Sequence, residues 1–261
     1  MKRFISFSGG IESTTMCILY GKGATAIWCD TGAEHKEMYD RVNFCEQKLK
    51  EIHNGDFTLL RLKPNVKVKG VYVDNLDDAI IGWNFMPTKM MRWCTGKFKI
   101  IPIDDFLKSQ GECELLIGLN ADEESREGNY GLQANVSYLC PLQNDGLDRD
   151  DCKLILLEHG MLPNFPMYMQ RGGCKYCIFK SISEWKAMYI FDRDTFYECK
   201  YLENRVQDRR KKFFAISMTG RSLQSIEDEC EREIKNWGVD AVKDMYKDIV
   251  QTQSCGAFCH R

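Results

Sequence analysis

Along the chain, short apolar runs of strand length alternate with longer stretches whose apolar residues recur at helical spacing. Runs at residues 3–5, 24–29, 57–62 and 114–119 are the strand candidates. Residues 15–20, 35 to about 52, 103–109 and 148–159 have the amphipathic spacing of helices. Strand and helix taken in turn specify a parallel sheet, because a parallel connection needs a crossover that is usually helical. The polar, partly alternating region from 63 through Asp78 fits neither template and is assigned to no element. Beyond Lys180 the character changes, and residues 183 to about 215 and 223–250 combine helical spacing with many charges. The pattern therefore predicts an α/β parallel-sheet core over residues 1–180 and a helical C-terminal appendage over 181–261, without internal repeats or low-complexity segments.

Composition changes this picture little. The 261 residues suffice for one large domain or a core with a smaller appendage. A net charge of −2 argues against wholesale coating by nucleic acid but leaves room for a local patch. No apolar stretch approaches a membrane span and no charged-then-apolar leader precedes the first strand, so a cytoplasmic protein without a membrane partner is expected. Of the thirteen cysteines, Cys17, Cys45, Cys113 and Cys152 sit singly in apolar periodic sequence and read as buried small hydrophobes.

The chemistry starts at the loop after the first strand, Ser6-Phe7-Ser8-Gly9-Gly10-Ile11-Glu12-Ser13-Thr14. Strand, paired glycines and helix N-terminus together form an oxyanion site. The first helical turn leaves N–H groups without partners, the dipole adds positive potential, and glycine lets a phosphate approach the backbone. Ser8, Ser13 and Thr14 add hydroxyls. It is not a Walker loop, since the glycine spacing differs and no Lys precedes Ser13. An ordinary βα turn of small residues is the plainer alternative. The second strand ends in Asp30-Thr31-Gly32-Ala33-Glu34, which places Asp30 and Thr31 at the same crevice. His35, in the first turn of the next helix, reads as a surface or capping residue.

The order Ser-Gly-Gly-x-x-Ser resembles the pyrophosphate loop of the PP-loop ATP pyrophosphatases. With Asp-Thr-Gly-x-Glu after the second strand, it resembles more closely the phosphoadenosine phosphosulfate reductase family within that group. Ile11 and Glu12 stand where the family often has Lys and Asp. Arg92-Trp93-Cys94-Thr95 followed by Lys99-Ile100-Ile101-Pro102 continues the resemblance, as does the strand end Gly118-Leu119-Asn120, where Asn120 replaces a common Arg and Arg126 partly compensates. The likeness covers roughly residues 1–180. It implies a PP-loop nucleotide-binding core taking ATP or a sulfonucleotide with Mg²⁺, with Ser6, Ser8, Gly9, Gly10, Glu12, Ser13, Thr14, Asp30, Thr31, Arg92, Gly118 and Arg126 around the nucleotide. Asp30 and Glu12 would place the Mg²⁺.

Arg171-Gly172-Gly173-Cys174-Lys175-Tyr176-Cys177 is the second centre. A Cys-x-x-Cys on a glycine turn brings two sulfurs within reach of one metal. Cys94, between Arg92 and Lys97, reads either as a thiol with a lowered pKa, hence nucleophile or ligand, or as a buried neighbour of Trp93. The family resemblance implies a [4Fe–4S] cluster, with zinc as the other choice, on Cys94, Cys174, Cys177 and the tail residues Cys255 and Cys259; His260 would complete a zinc site. A redox dithiol is the non-metal reading of Cys174 and Cys177. The tail Cys255-Gly256 resembles the reductases' C-terminal motif, in which a cysteine attacks the sulfonucleotide sulfur. The basic run 205–212 reads either as a phosphate-backbone contact or as a solvated helix face.

These readings converge on a nucleotide-dependent enzyme of sulfur chemistry. The favoured form adenylates a nucleobase or nucleic-acid acceptor with ATP and delivers sulfur to it, with Asp30, Cys94 and Cys255 as catalytic candidates. A sulfonucleotide reductase releasing sulfite is the second form, and a regulatory nucleotide- and metal-binding module the third. The partners implied are a nucleotide, a nucleic-acid acceptor, and a sulfur-donor or thioredoxin-like protein.

Overall fold

The computed structural model describes residues 1–123 and 133–249. Its centre is a five-stranded sheet of β1 (Lys2–Ser6), β2 (Thr25–Cys29), β3 (Thr58–Leu62), β6 (Cys113–Leu116) and β7 (Val136–Leu139), in the order β3-β2-β1-β6-β7, with every pair parallel. Between β3 and β6 lie a hairpin, β4 (Val66–Val68) with β5 (Val71–Val73), and the helix α3 (Leu76–Trp83). The hairpin and α3 occupy the region that hydrophobic pattern left unassigned. A three-residue strand pair gives too short an alternation to recognise, and α3 is announced only by its cap, Asn75, whose side chain accepts from Asp78 N–H at 2.8 Å.

Both faces of a parallel sheet are covered, so successive strand residues feed two cores. Phe4, Ile27 and Leu115 pack on one face under α5 (Ile101–Lys108), where Phe4 and Phe106 meet edge to face at 5.4 Å. Ile5, Ala26, Trp28 and Leu116 face the other way, toward α1 (Ile11–Tyr20), α2 (Lys36–Ile52) and α7 (Arg149–Glu158). That second core continues without a break into α8 (Ile182–Phe191), α9 (Arg193–Arg210) and α10 (Leu223–Trp237), through Trp185, Phe196 and Cys230. A last helix, α11 (Val239–Ile249), is pinned to α8 and α10 by Lys186, which is bonded to Glu229 and Glu233 while Tyr246 also holds Glu233.

The α/β class and the C-terminal helices agree with the sequence pattern, and the differences are local. The strand expected over 114–119 ends at Leu116, where the backbone turns and Leu119 N–H bonds Ile117 C=O. The helical stretch 183–215 is two helices, because Asp192 ends α8 and caps α9 by accepting from Thr195 N–H. Cys17, Cys45, Cys113 and Cys152 are buried, as expected. Among the described residues no helix is long and apolar enough to cross a membrane.

Strand order reverses direction at β1. The chain moves outward through β2 and β3 on one side and later through β6 and β7 on the other. In an open α/β sheet the crevice beyond the carboxyl ends at such a reversal is the ligand position. Here that crevice lies between the end of β1, carrying the Ser-Gly-Gly loop, and the end of β6, carrying Gly118 and Asn120.

Candidate functional site

The first loop is built as a cradle. Ser6 closes β1 in register with Ile27, and Phe7 N–H bonds Ile27 C=O, so the strand runs straight to the loop. Gly9 takes φ +76°, a conformation that disfavours any side chain, and Gly10 is the extended N-cap of α1. The Ser13 hydroxyl accepts from Ser8 N–H at 3.1 Å and lies 3.0 Å from the Ser8 hydroxyl, which in turn accepts from Gly10 N–H at 3.4 Å. The N–H groups of Ile11, Glu12 and Ser13 have no carbonyl within α1 to bond, since the preceding turn is loop. A Cβ on Gly10 would meet only Ser8 Oγ, at 3.3 Å, so the side of the loop that Gly10 faces is open. A phosphate fits the donor set: backbone N–H groups, two hydroxyls and a helix dipole.

The end of β6 closes the other side. A Cβ on Gly118 would lie 3.2 Å from both Ser13 N and Met16 Cε, so glycine here lets the strand end touch the first turn of α1. Asn120 is buried, with Nδ2 donating to Glu12 Oε1 at 3.3 Å and Oδ1 without a partner. The same Glu12 oxygen is paired with Arg149, the first residue of α7. Arg149 N–H in turn donates to Asp122 at 3.2 Å, at the end of the β6 loop. Arg149 is the residue that motif reading missed: a guanidinium reaches the first loop from a helix far along the sequence, beside the place where Asn120 lacks one. The Asp148-x-x-Asp151 capping box that starts α7 is readable in sequence and marks where Arg149 must sit, but not what it faces.

Several expected nucleotide contacts have other work. Thr14 is fully buried with its hydroxyl toward the Cys45 thiol, so its side chain belongs to the core rather than the cradle. Thr31 Oγ1 donates to Glu34 at 2.9 Å and shapes its own loop. Both Asp30 oxygens are engaged, one by Gly32 N–H at 2.9 Å and Tyr39 OH at 2.8 Å, the other by Lys63 at 3.0 Å. Burial works to raise the Asp30 carboxyl, but Gly32, Lys63 and Tyr39 outweigh it and hold the group below its usual range. Asp30 is thus an ionised loop organiser, and with Glu12 held by Arg149 neither carboxylate is free for Mg²⁺. Such an ion binds chiefly through phosphates and water, so it fits this site only as a companion of the triphosphate. Arg92 spreads over the Phe179 ring at 4.9 Å and donates to Thr95 Oγ1 at 3.4 Å. Arg126, Cys255, Cys259 and His260 lie outside the described residues.

The cysteine turn docks beside this crevice. Glu34 and Cys174 form an antiparallel bridge, Lys175 N–H bonds Ala33 C=O at 2.9 Å, and His35 N–H points to Gly173 C=O at 3.5 Å. The loop after β2 and the Cys-x-x-Cys turn therefore share a backbone seam. Gly172 and Gly173 have φ +71° and +109°, and a Cβ on Gly172 would strike Met38 Sδ at 2.6 Å, so the glycines permit this docking. Opposite stands the irregular stretch of α4 (Trp93–Thr95) and the π-turn Gly96–Ile100, which brings Cys94 and Lys99 to the same pocket.

The two turn thiols influence each other in opposite directions. The neighbouring Cys174 thiol, with Lys180, Phe179 N–H and Arg171 against the opposing effect of burial, holds the Cys177 thiol below its usual range. Cys177, then burial, raises Cys174. Cys94 corrects a sequence expectation: burial raises it more than Lys99 lowers it, while Arg92 and Lys97 give their charge to the Phe179 and Trp83 rings. Lys99, an exposed residue, is raised above its usual range, because Glu34 and the three thiols outweigh the opposing effect of burial around its charge. His35 is a second correction. It holds the N-cap position of α2, without a side-chain cap bond, but it is buried rather than on the surface; its ring lies 5.4 Å from that of Tyr168, and its Nε2 has no partner. Burial, then Lys180 and Lys175, pull it down to about 2, so the ring is neutral.

The structure thus brings Cys94, Cys174 and Cys177 around Lys99 and Glu34. Among the described residues, however, no group of three or more His, Cys, Asp or Glu side chains is arranged to hold a metal ion. No protein-family model matches the chain, and no curated protein matches it.

Proposed function

We propose that this chain is a PP-loop ATP pyrophosphatase, similar to the phosphoadenosine phosphosulfate reductase family, that activates a nucleobase or nucleic-acid oxygen and then transfers sulfur to the activated carbon. The observation that carries the reading is the juxtaposition at one sheet reversal: a glycine–hydroxyl cradle on the N-terminus of α1, and the Cys174–Cys177 turn seated on the neighbouring loop.

In this scheme the N–H groups of residues 11–13 and the hydroxyls of Ser8 and Ser13 hold the β- and γ-phosphates. Arg149 leaves Glu12 to take up charge on the leaving group. The acceptor oxygen attacks the α-phosphorus, the bond to the bridging oxygen breaks, and pyrophosphate departs with that electron pair. Sulfur arrives from a partner's persulfide: the Cys177 thiolate takes the outer sulfur and the partner's thiolate is released. The Cys177 persulfide then attacks the adenylated carbon and expels AMP. Cys174, once deprotonated, attacks Cys177 Sγ, which frees the thiolated product and leaves a Cys174–Cys177 disulfide for a thioredoxin-like reductant to reopen. This order of roles follows the directions of the two thiols, Cys177 held below its usual range and Cys174 above it.

Anaerobic product analysis tests the proposal. Pyrophosphate is expected from ATP only when the nucleic-acid acceptor is present, at a rate abolished in Gly10→Val. Sulfite released from a sulfonucleotide with thioredoxin, and no pyrophosphate from ATP with any acceptor, would assign the chain to the reductases. Tight nucleotide binding with no turnover of either kind would make it a regulatory module.

A further inference from the structure

Two stretches of the chain carry cations and no carboxylate. Residues 79–103 hold Lys89, Arg92, Lys97 and Lys99, and residues 209–221 hold Arg209, Arg210, Lys211, Lys212 and Arg221. In a chain of net charge −2, positive charge at these places is not answered by sequence neighbours. The fold sets the two stretches side by side: Arg210, in the last turn of α9, lies over the Phe85 ring at 4.3 Å, just beyond the end of α3. Arg221 is used inside the fold, on Glu229. Arg209, Arg210, Lys211 and Lys212 are exposed, and among the described residues none of them pairs with a carboxylate. The same two stretches carry large apolar side chains in open solvent, Phe213 at 72% and Met90 at 90% exposure. From Met90 the backbone leads through Arg92 and Cys94 to Lys99 in the thiol pocket.

We propose that this face, formed by the C-terminal end of α9 and residues 85–97, binds a single-stranded nucleic acid and leads it to the thiol pocket. The inference rests on the reading of the acceptor as a nucleic acid and says where that acceptor lies. Cations that no carboxylate answers, as at Arg209, Arg210, Lys211 and Lys212, neutralise phosphates and release counterions, and exposed Phe and Met side chains offer platforms for unpaired bases. A duplex hides its base faces, so the exposed apolar residues favour the single strand. The second stretch runs from this face to Cys94 and Lys99 beside the thiols, which suits a linear substrate better than a membrane plane.

Fluorescence anisotropy on the full chain decides the matter, using labelled single-stranded RNA and DNA of about 12 nucleotides, the matching duplex, and phosphatidylserine-containing vesicles. A single strand is expected to bind at least about ten-fold more tightly than the duplex, with log affinity falling against log salt at a slope of about −3, as four neutralised phosphates give. Arg209→Glu with Lys212→Glu should weaken binding about ten-fold or more and flatten the slope by about 1.4. Phe213→Ala should weaken it about ten-fold with the slope unchanged. Both variants should keep wild-type ATP affinity, which serves as the check on folding. Preference for RNA or for DNA names the acceptor and supports the surface either way. Salt-independent binding, unchanged affinity in the charge-reversal variant, or binding to vesicles and not to oligonucleotides overturns it. Strand binding without pyrophosphate release would leave the surface standing and remove the proposed chemistry; pyrophosphate release without strand binding at this face would do the reverse.

Discussion

The phosphate cradle and the thiol pocket are neighbours at one sheet edge, yet they are made in opposite ways. The cradle is local: a strand end, two glycines and a helix start, within eight residues from Ser6 to Ser13, held by bonds among its own members. The thiol pocket is assembled from three irregular segments, the loop after β2, the π-turn Gly96–Ile100 and the glycine turn at 172–177, held by backbone docking. A local site depends on backbone geometry, so a single Cβ in the wrong place should abolish it while the fold survives. A docked site depends on burial and on mutual electrostatics, so its changes should be graded and sensitive to pH.

The largest expected contrast comes from Gly10→Val. The extended φ of Gly10 accepts a side chain, and only Ser8 Oγ stands near the added Cβ, but the branches of valine fill the space a phosphate needs. Nucleotide affinity by calorimetry should fall by about 100-fold or more, about 2.7 kcal/mol, with the melting temperature little changed. Unchanged affinity in a folded variant would show that the cradle is an ordinary turn.

The next effect belongs to the docked site. His35 is neutral and buried, with a folded pKa near 2 against about 6.5 in an unfolded chain. A base with a depressed folded pKa gives stability that is fully present above the unfolded value and lost as pH falls below it. Between pH 7 and pH 5 the loss is about 2 kcal/mol from this group. Urea denaturation should show His35→Phe losing less stability than wild type over that interval by about this amount. Equal losses would mean that the ring is hydrated in solution.

Chemical reactivity sharpens the comparison further. In protein freed of metal, iodoacetamide at pH 7 should label Cys177 ahead of Cys174, because Cys177 is held below its usual range and Cys174 above it. Cys174→Ala removes the neighbour that lowers Cys177 and should slow its labelling about ten-fold. Labelling of both thiols at the same rate would contradict these opposite directions. The smallest effect is at the seam between β6 and α1: Gly118→Ala presses a methyl on Ser13 N and Met16 and should cost about 1 kcal/mol in thermal unfolding.

The same contrast explains what was legible in the sequence. β1, β2, β3, β6, α1, α2 and the cradle glycines were readable because each is specified by residues within one turn or one strand, whereas the short β4, β5 and β7 were not. Thr14 was misassigned because loop motif and helix face overlap at that position, and the helix face wins: the residue lies a full turn into α1 and points to Cys45. Arg149 was missed because its partner, Glu12, is 137 residues away and neither carries a local signal of the other. The Cys94 environment was misjudged for the same reason. Adjacent cations in sequence turned to aromatic rings, while Lys99 and burial set the thiol.

The central claim is that a nucleotide's phosphates rest on the N-terminus of α1, and hydrogen exchange at that backbone addresses it most directly. With saturating ATP and Mg²⁺, the peptide covering Ser8 to Ser13 should exchange more slowly than in the free protein. Pyrophosphate alone should protect the same amides, and Gly10→Val should show neither effect. Protection by ATP confined to other segments, with exchange at residues 8–13 unchanged, would contradict the account.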